Sequence, residues 1–271
     1  MRIRKRHPIG DRLQLLLILL LLLWVVGSIA RLVHESCETK KSATIEKLLK
    51  TAMEPVGTTM YIWGGGWNGA DEGSGATSTK LGLSPRWKEF AKEQEKSYDF
   101  NEHRFERENG LDCSGYVGWV LYNTFEKKEG LSGYVTSSTD FARSLANRGW
   151  GKLIENPKEF LPGDIVSMEG HVWICLGNCE DGSVLLVHSS PPGVAVCGTS
   201  VADSEDSIAE QLATDFMSKK HPTWQEKYPN REVAETYLKN VNLFRWNKST
   251  MSDVEKFQQK SAEEIMGVLL P

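Results

Sequence analysis

The sequence predicts an α+β fold in which one buried helix precedes a run of short strands. The first strongly apolar stretch of the body is 111–125, where Tyr116, Val117 and Val120 recur at helical spacing. After it come four short segments rich in β-branched residues, at 164–168, 171–176, 184–188 and 194–197. Turns containing glycine, proline or asparagine separate them, which is typical of antiparallel hairpins.

Composition indicates a folded chain that does not bind nucleic acid. Its 271 residues are 40% hydrophobic and 25% charged, enough to bury the core of one or two domains. The net charge is −4, and five of the 32 basic residues lie within 1–12. The rest of the chain is therefore acidic, whereas a nucleic-acid-binding domain needs a basic surface.

The N-terminus resembles a membrane anchor. In 13–30 only Gln14 and Ser28 are polar, and a helix of this length spans roughly 27 Å, about the thickness of the hydrocarbon core. The basic head at 1–12 predicts a cytoplasmic N-terminus, a single-pass transmembrane helix at 13–33 in the lipid bilayer, and an extracytoplasmic body. The alternative is a signal peptide cleaved after Ala30, which would release a secreted protein.

Four further segments organise the rest of the chain. A membrane-proximal helix is expected at 34–54, and the body at 55–200 contains a charge-rich insertion at 66–110. The C-terminal extension, 201–271, is predicted to be α-rich and to pack on the body. Its helices are expected at 207–219 and 252–268, with a strand at 241–246.

Five cysteines are an odd number for an exported chain, so at least one thiol stays unpaired within it. They are Cys37, Cys113, Cys175, Cys179 and Cys197. The last three allow a disulfide or, at less suitable spacing, a zinc cluster. Cys113 stands at the first turn of the predicted helix, where backbone N–H groups and the helix dipole favour the thiolate. The alternative is a buried structural cysteine.

Two histidines are predicted to meet beside this cysteine. His171 begins one strand and His188 ends the next, and antiparallel pairing through the turn at 178–182 places them side by side. A thiol nucleophile, an imidazole base and a third polar group that orients the imidazole are the components of nucleophilic acyl transfer. The sequence therefore predicts Cys113, His171 and His188 as a catalytic triad.

Four motifs carry a resemblance to a known family. They are YIWGG at 61–65, DCSGYV at 112–117, LPGDIV at 161–166 and GHVWICLG at 170–177. In this order they resemble the signature blocks of the NlpC-type papain-like cell-wall cysteine peptidases, over about residues 45–200 of the chain. The resemblance implies a papain-like core, a nucleophile helix packed on a small antiparallel sheet, here with an N-terminal transmembrane helix and the α-rich extension.

The resemblance also implies an activity, hydrolysis of peptidoglycan stem peptides at the bond between γ-D-Glu and the diamino acid. Cys113 would attack the carbonyl and form a thioester, which water hydrolyses with His171 as base, without a metal or other cofactor. Tyr61 would lie beside the cleft and contribute to oxyanion or substrate binding, and Asp112 and Ser114 would contact the free amino end of the peptide. The alternatives are a helix cap for Asp112 and plain packing for Tyr61 and Ser114.

The chain departs from the family pattern in two places. The insertion at 66–110 separates the tyrosine motif from the cysteine, and could form a substrate wall or a solvated loop. Trp173 follows the histidine, where it could narrow a subsite or pack the sheet. Other functions stay open: an N-acetylmuramoyl-L-alanine amidase, a non-catalytic wall-binding module, or acyl transfer to lipid. Oligomeric state and the choice of diamino acid are not predicted.

Overall fold

The computed structural model describes residues 18, 20–27, 43–66, 81–126, 133–202 and 206–269. Residues 1–42 and 43–271 form two separate compact units. In the first unit, the described residues 18 and 20–27 are helical. The remaining residues of 1–42, which include the basic head, Cys37 and the cleavage position after Ala30, lie outside the described part of the chain.

The prediction of a transmembrane anchor at 13–33 is contradicted. Over the described ranges, no helix is both long enough and apolar enough to cross a membrane. The predicted single-pass localisation with an extracytoplasmic body is corrected with it, whereas the lipid bilayer as a partner stays a prediction.

The second unit is built on a nine-stranded mixed sheet. Its strands are β1 (Met60–Tyr61), β2 (Gly110–Leu111), β3 (Gly151–Glu155), β4 (Ile165–Met168), β5 (His171–Asn178), β6 (Val184–Ser190), β7 (Gly193–Thr199), β8 (Glu232–Val233) and β9 (Asn242–Trp246). The order is β2-β1-β7-β6-β5-β4-β9-β3, and β8 pairs with β7. The β1–β2 and β7–β8 pairs are parallel.

This sheet corrects the predicted fold class. The papain-like expectation was a small antiparallel sheet with a membrane helix, whereas the structure is a mixed α/β domain with a large sheet. The sheet is larger because regions outside the predicted hairpins add strands to it. The end of the insertion contributes β2, the extension contributes β8 and β9, and β3 had not been predicted.

Seven helices are described in the second unit. They are α1 (Ile45–Met53), α2 (Pro85–Glu93), α3 (Cys113–Phe125), α4 (Phe141–Asn147), α5 (Ile208–Lys220), α6 (Pro222–Lys227) and α7 (Ala262–Leu269), with short 3-10 turns at Arg107–Asn109, Glu235–Leu238 and Phe257–Gln259. The last helix begins ten residues later than the predicted 252, because the Asp253 carboxylate accepts from Phe257 N at 2.7 Å and Gln258 N at 3.0 Å and holds a tighter turn there.

Helix α3 is the centre of the core. All of its residues are buried, because α1 packs on it from one side and β5 and β6 from the other. Two polar side chains near its C-terminus donate within the helix, Asn123 to the Trp119 carbonyl at 2.9 Å and Thr124 to the Val120 carbonyl at 2.7 Å, and Asn123 Oδ1 accepts from Gly82 N–H at 2.6 Å. Full burial of the helix fixes the position of its first residue, Cys113.

A buried ion pair joins the extension to the sheet. Asp164, which precedes β4, is fully buried, and the Arg245 guanidinium from β9 contacts it with Nη2 2.7 Å from Oδ2. The backbone N–H of Leu161 also donates to Oδ2, at 2.7 Å. Burial raises the pKa of Asp164 to about 6, against the lowering effect of Arg245. The C-terminal extension is thus part of the sheet that carries the site.

Candidate active site

Cys113 opens onto a cavity of about 420 Å³. The side chain is buried, and the first turn of α3 forms one wall. Three residues predicted to bind substrate, Tyr61, Asp112 and Ser114, also line this cavity. The structure therefore brings together the predicted nucleophile and all three of these residues, and their roles toward substrate stay predictions.

A glycine-rich loop holds the start of α3 in place. The Asp112 backbone N–H donates to the Gly65 carbonyl at 3.2 Å, and Gly64 N–H donates to Asp112 Oδ2 at 3.1 Å. The loop approaches so closely that a Cβ on Gly115 would lie 1.9 Å from the Gly65 carbonyl oxygen. Only glycine fits at position 115, two residues after the candidate nucleophile.

Asp112 caps the helix. Its Oδ1 accepts from Gly115 N–H at 2.7 Å and from the Ser114 hydroxyl at 2.9 Å, which is the geometry of an N-cap residue. Tyr61 is tied to the insertion, since the Tyr98 hydroxyl donates to its carbonyl at 2.6 Å. Burial, with the charges of Cys113 and Asp112, raises the pKa of Tyr61, so its phenol stays protonated and can donate a hydrogen bond.

His171 and His188 are in direct contact. Strands β5 and β6 pair with Ile174 opposite Val187, and a bulge lies between Cys175 and Gly177. Nε2 of His171 lies 2.9 Å from Nδ1 of His188, and the rings meet edge to face at 5.1 Å. The hairpin inferred from the sequence thus brings the two side chains together.

The sulfur of Cys113 faces the beginning of β5. Its thiol donates to the Gly170 carbonyl at 4.0 Å, and the backbone N–H of Val172 donates to the sulfur. These two residues flank His171 in the chain. Because Nε2 of His171 is engaged with His188, Nδ1 is the nitrogen left to exchange a proton with a thiol.

Both members of the thiol–imidazole pair are uncharged near neutral pH. Burial and the charge of Asp112 raise the pKa of Cys113 to about 11, and burial lowers the pKa of His171 to about 4. The sequence had favoured a thiolate stabilised by the helix N-terminus. The backbone N–H groups there do lower the pKa of the thiol, but burial outweighs them.

His188 is held neutral by its surroundings. It is buried, and burial together with the charges of His171 and Arg231 lowers its pKa well below the ordinary value. A neutral His188 can accept a hydrogen bond from His171 Nε2–H through Nδ1, which fixes the tautomer that leaves His171 Nδ1 unprotonated.

The insertion lines the cavity, which the sequence had left undecided. Phe105 and Arg107 belong to it, and with Trp63 they form part of the cavity wall. Phe105 is 59% exposed and has a φ of 68°, a costly conformation for a phenylalanine. The insertion also reaches the core, where Trp87 packs edge-on against Trp119 at 5.8 Å. Residues 67–80 lie outside the described part.

The extension supplies a residue that sequence reasoning missed. The ring of Tyr237 lies 5.4 Å from the ring of His171 and 6.0 Å from that of His188. Its pKa is raised to about 12 by burial and by the charges of Cys197 and Cys113. A single tyrosine in a polar stretch carries no local signal that could have revealed this contact.

The remaining candidates lie outside the wall of the Cys113 cavity. Cys175, Cys179 and Cys197 are free thiols, so the disulfide considered among them is not formed. Among the described residues, no group of three His, Cys, Asp or Glu side chains could hold a metal ion. Trp173 is fully buried and stacks on Phe160 at 5.8 Å, so it packs the sheet.

The site consists of a buried thiol at a helix N-terminus that faces the beginning of β5, where His171 is paired with His188 of β6. No protein-family model, no curated protein and no solved structure matches the chain. The resemblance to NlpC-type peptidases therefore rests on the four sequence motifs.

Proposed function

We propose that the protein is a cysteine endopeptidase that hydrolyses peptidoglycan stem peptides, at the bond between γ-D-Glu and the diamino acid. One observation carries the proposal: Cys113 lines a cavity with Tyr61, Asp112 and Ser114, and its sulfur faces the strand that begins with the paired His171. The bond that is cleaved and the nature of the substrate come from the resemblance of the motifs.

The pKa values favour a reaction that starts from neutral groups. His171 Nε2–H donates to His188 Nδ1, and His171 Nδ1 takes the thiol proton as the sulfur attacks the carbonyl. The charge of Arg231 opposes protonation of His188, so the proton stays on His171. His171 then protonates the leaving amine, which breaks the C–N bond and leaves a thioester on Cys113.

Hydrolysis of the thioester reverses these roles. Water loses a proton to His171 and adds to the thioester carbonyl, and the thiol leaves and regains its proton. In both steps, the backbone N–H of Cys113 is placed at the helix N-terminus to donate to the oxyanion. The Tyr61 phenol, kept protonated by its raised pKa, lies in the same cavity.

The test is digestion of purified cell-wall material, followed by identification of the new chain ends. A free γ-D-Glu carboxyl together with a free amine on the diamino acid supports the proposal, whereas a freed lactyl group would indicate an amidase. Cys113→Ser should abolish the release, and Cys179→Ser, a buried thiol outside the Cys113 cavity, should not. Equal lysis by the wild type and Cys113→Ser would contradict a catalytic role for this residue.

A further inference from the structure

A second cavity lies against the histidine pair. Its volume is about 510 Å³, larger than that of the Cys113 cavity. Strands β6 and β7 contribute His188 and Cys197 to its wall, and the extension contributes Arg231 and Tyr237. We call it the Arg231 cavity.

Arg231 carries a buried charge without a counter-ion. The side chain is 2% exposed, immediately before β8. Its Nη2 donates to the Tyr228 carbonyl, but Nε and Nη1 are buried and have no hydrogen-bond acceptor. Within the described ranges no carboxylate lies at ion-pair distance from this guanidinium. Because buried charges are costly unless they are paired, the arrangement favours an anion nearby.

The other charged residues of the cavity do not neutralise Arg231. Lys227 adds a second cation, and its Nζ is already occupied by the Gln94 carbonyl and lies 4.0 Å from a Glu95 carboxylate oxygen. The Glu232 side chain is exposed, and its charge acts on Glu210. Neither the Lys227 cation nor the Glu232 carboxylate therefore forms an ion pair with Arg231 among the described residues.

The two cavities share no lining residue. Cys113 and Gly170 line the first, whereas His188 and Tyr237 line the second. The rings of His171, His188 and Tyr237 contact one another, and two of them line the Arg231 cavity, so this cavity adjoins the histidine pair. In an acyl transfer, the histidine protonates the leaving amine, which places the released half of the substrate on the histidine side.

We propose that the Arg231 cavity binds a free carboxylate, carried by the amino acid that the proposed peptidase releases. The proposal rests on the proposed function for the identity of the ligand, and on Arg231 for its charge. A carboxylate supplies the negative charge that the buried guanidinium lacks, and the cavity is large enough for an amino acid side chain beside it. The Cys113 cavity then holds the acyl half.

The first test uses the non-cleaving Cys113→Ala variant and calorimetric titration. The tripeptide L-Ala-γ-D-Glu-L-Lys should bind about tenfold more tightly than the same peptide ending in a carboxamide, since a charge-assisted contact is lost with the carboxylate. Ala234→Trp, at an exposed position of the cavity wall, should abolish this preference. Thr236→Trp, exposed and outside the wall, should retain it. Equal binding of the acid and the amide overturns the assignment of the released amino acid as the ligand.

The second test needs no peptide. Sodium acetate should raise the melting temperature of the wild type more than acetamide does at equal concentration and ionic strength, and Ala234→Trp should lose this difference while Thr236→Trp keeps it. If the tripeptide acid and its carboxamide bind equally while acetate still stabilises more than acetamide, the proposed substrate is contradicted and the carboxylate site is supported. The absence of any difference between acetate and acetamide would overturn the site.

Discussion

The two walls of the site are built in different ways. The helix wall, residues 112–114, is contiguous in the chain and is fixed by hydrogen bonds from its own turn and from the glycine loop. The histidine wall comprises His171, His188 and Tyr237, which come from two strands and from the extension. One hydrogen bond and three ring contacts hold it. The nucleophile is thus positioned locally, whereas the base is positioned by tertiary structure.

The largest expected effect comes from removing the base. His171→Ala should lower kcat/KM for hydrolysis of the stem peptide by about 10²- to 10⁴-fold, the usual contribution of a positioned general base. His103→Ala removes a histidine of the insertion that bonds to Glu106 at 3.1 Å, and should leave kcat/KM unchanged. Equal activity of His171→Ala and the wild type would remove the histidine wall from the mechanism.

The second prediction concerns the charge state of the two walls. Because the pKa of Cys113 is raised to about 11, the rate of Cys113 alkylation by iodoacetamide should rise about tenfold per pH unit from neutrality toward that value. The protein without Cys113 gives the background rate. A rate plateau from about pH 5 upward would instead indicate a thiolate–imidazolium pair, and would contradict the neutral starting state.

The third prediction breaks the buried ion pair between the extension and the sheet that carries the histidine wall. Arg245→Met leaves the fully buried Asp164 without its partner, and should lower the free energy of unfolding by about 3 kcal/mol. The matched control is Arg143→Met, which removes an exposed pair with Glu155 and should cost about 1 kcal/mol or less. Denaturant titration measures both. Equal losses would show that burial of the Asp164–Arg245 pair does not set its contribution to the free energy of unfolding.

The smallest expected effect concerns the helix wall, where the Asp112 charge acts on Cys113. Asp112→Asn retains a side chain that caps helices well and removes the charge that raises the pKa of Cys113. Alkylation of Cys113 near pH 8 should therefore accelerate by about threefold. Stability should fall by about 1 kcal/mol, because asparagine has one acceptor oxygen and the Gly64 N–H loses its acceptor. Asp140→Asn, at a helix start without a side-chain cap bond, should have no effect on alkylation. A slower reaction in Asp112→Asn would show that the carboxylate activates the thiol.

Sequence reasoning worked where the information is local. The start of α3 at Cys113 and the meeting of His171 with His188 follow from a capping residue and from the length of one hairpin. Strand order does not follow in this way, because nothing in 242–246 indicates that it pairs with both β3 and β4. The charge of the thiol could not be predicted either, because its burial depends on distant segments. At 13–33, apolar composition predicted a transmembrane helix, and no helix among the described residues is long and apolar enough to be one.

The place of β9 in the sheet has a consequence for how the protein is made. Strands β3 and β4 lie close together in the chain, yet each pairs with β9 rather than with the other. When all four motifs have been synthesised, β9, which joins β3 to β4, has not yet been made. Arg245, the cation that pairs with Asp164, is also still missing. The start of α1 also depends on the C-terminal part of the chain, because Ile45 N–H donates to the Ser252 carbonyl at 2.9 Å. The sheet of this domain therefore cannot be completed until β9 has been synthesised, and a chain ending at residue 240 would carry every motif without the strand that joins β3 to β4.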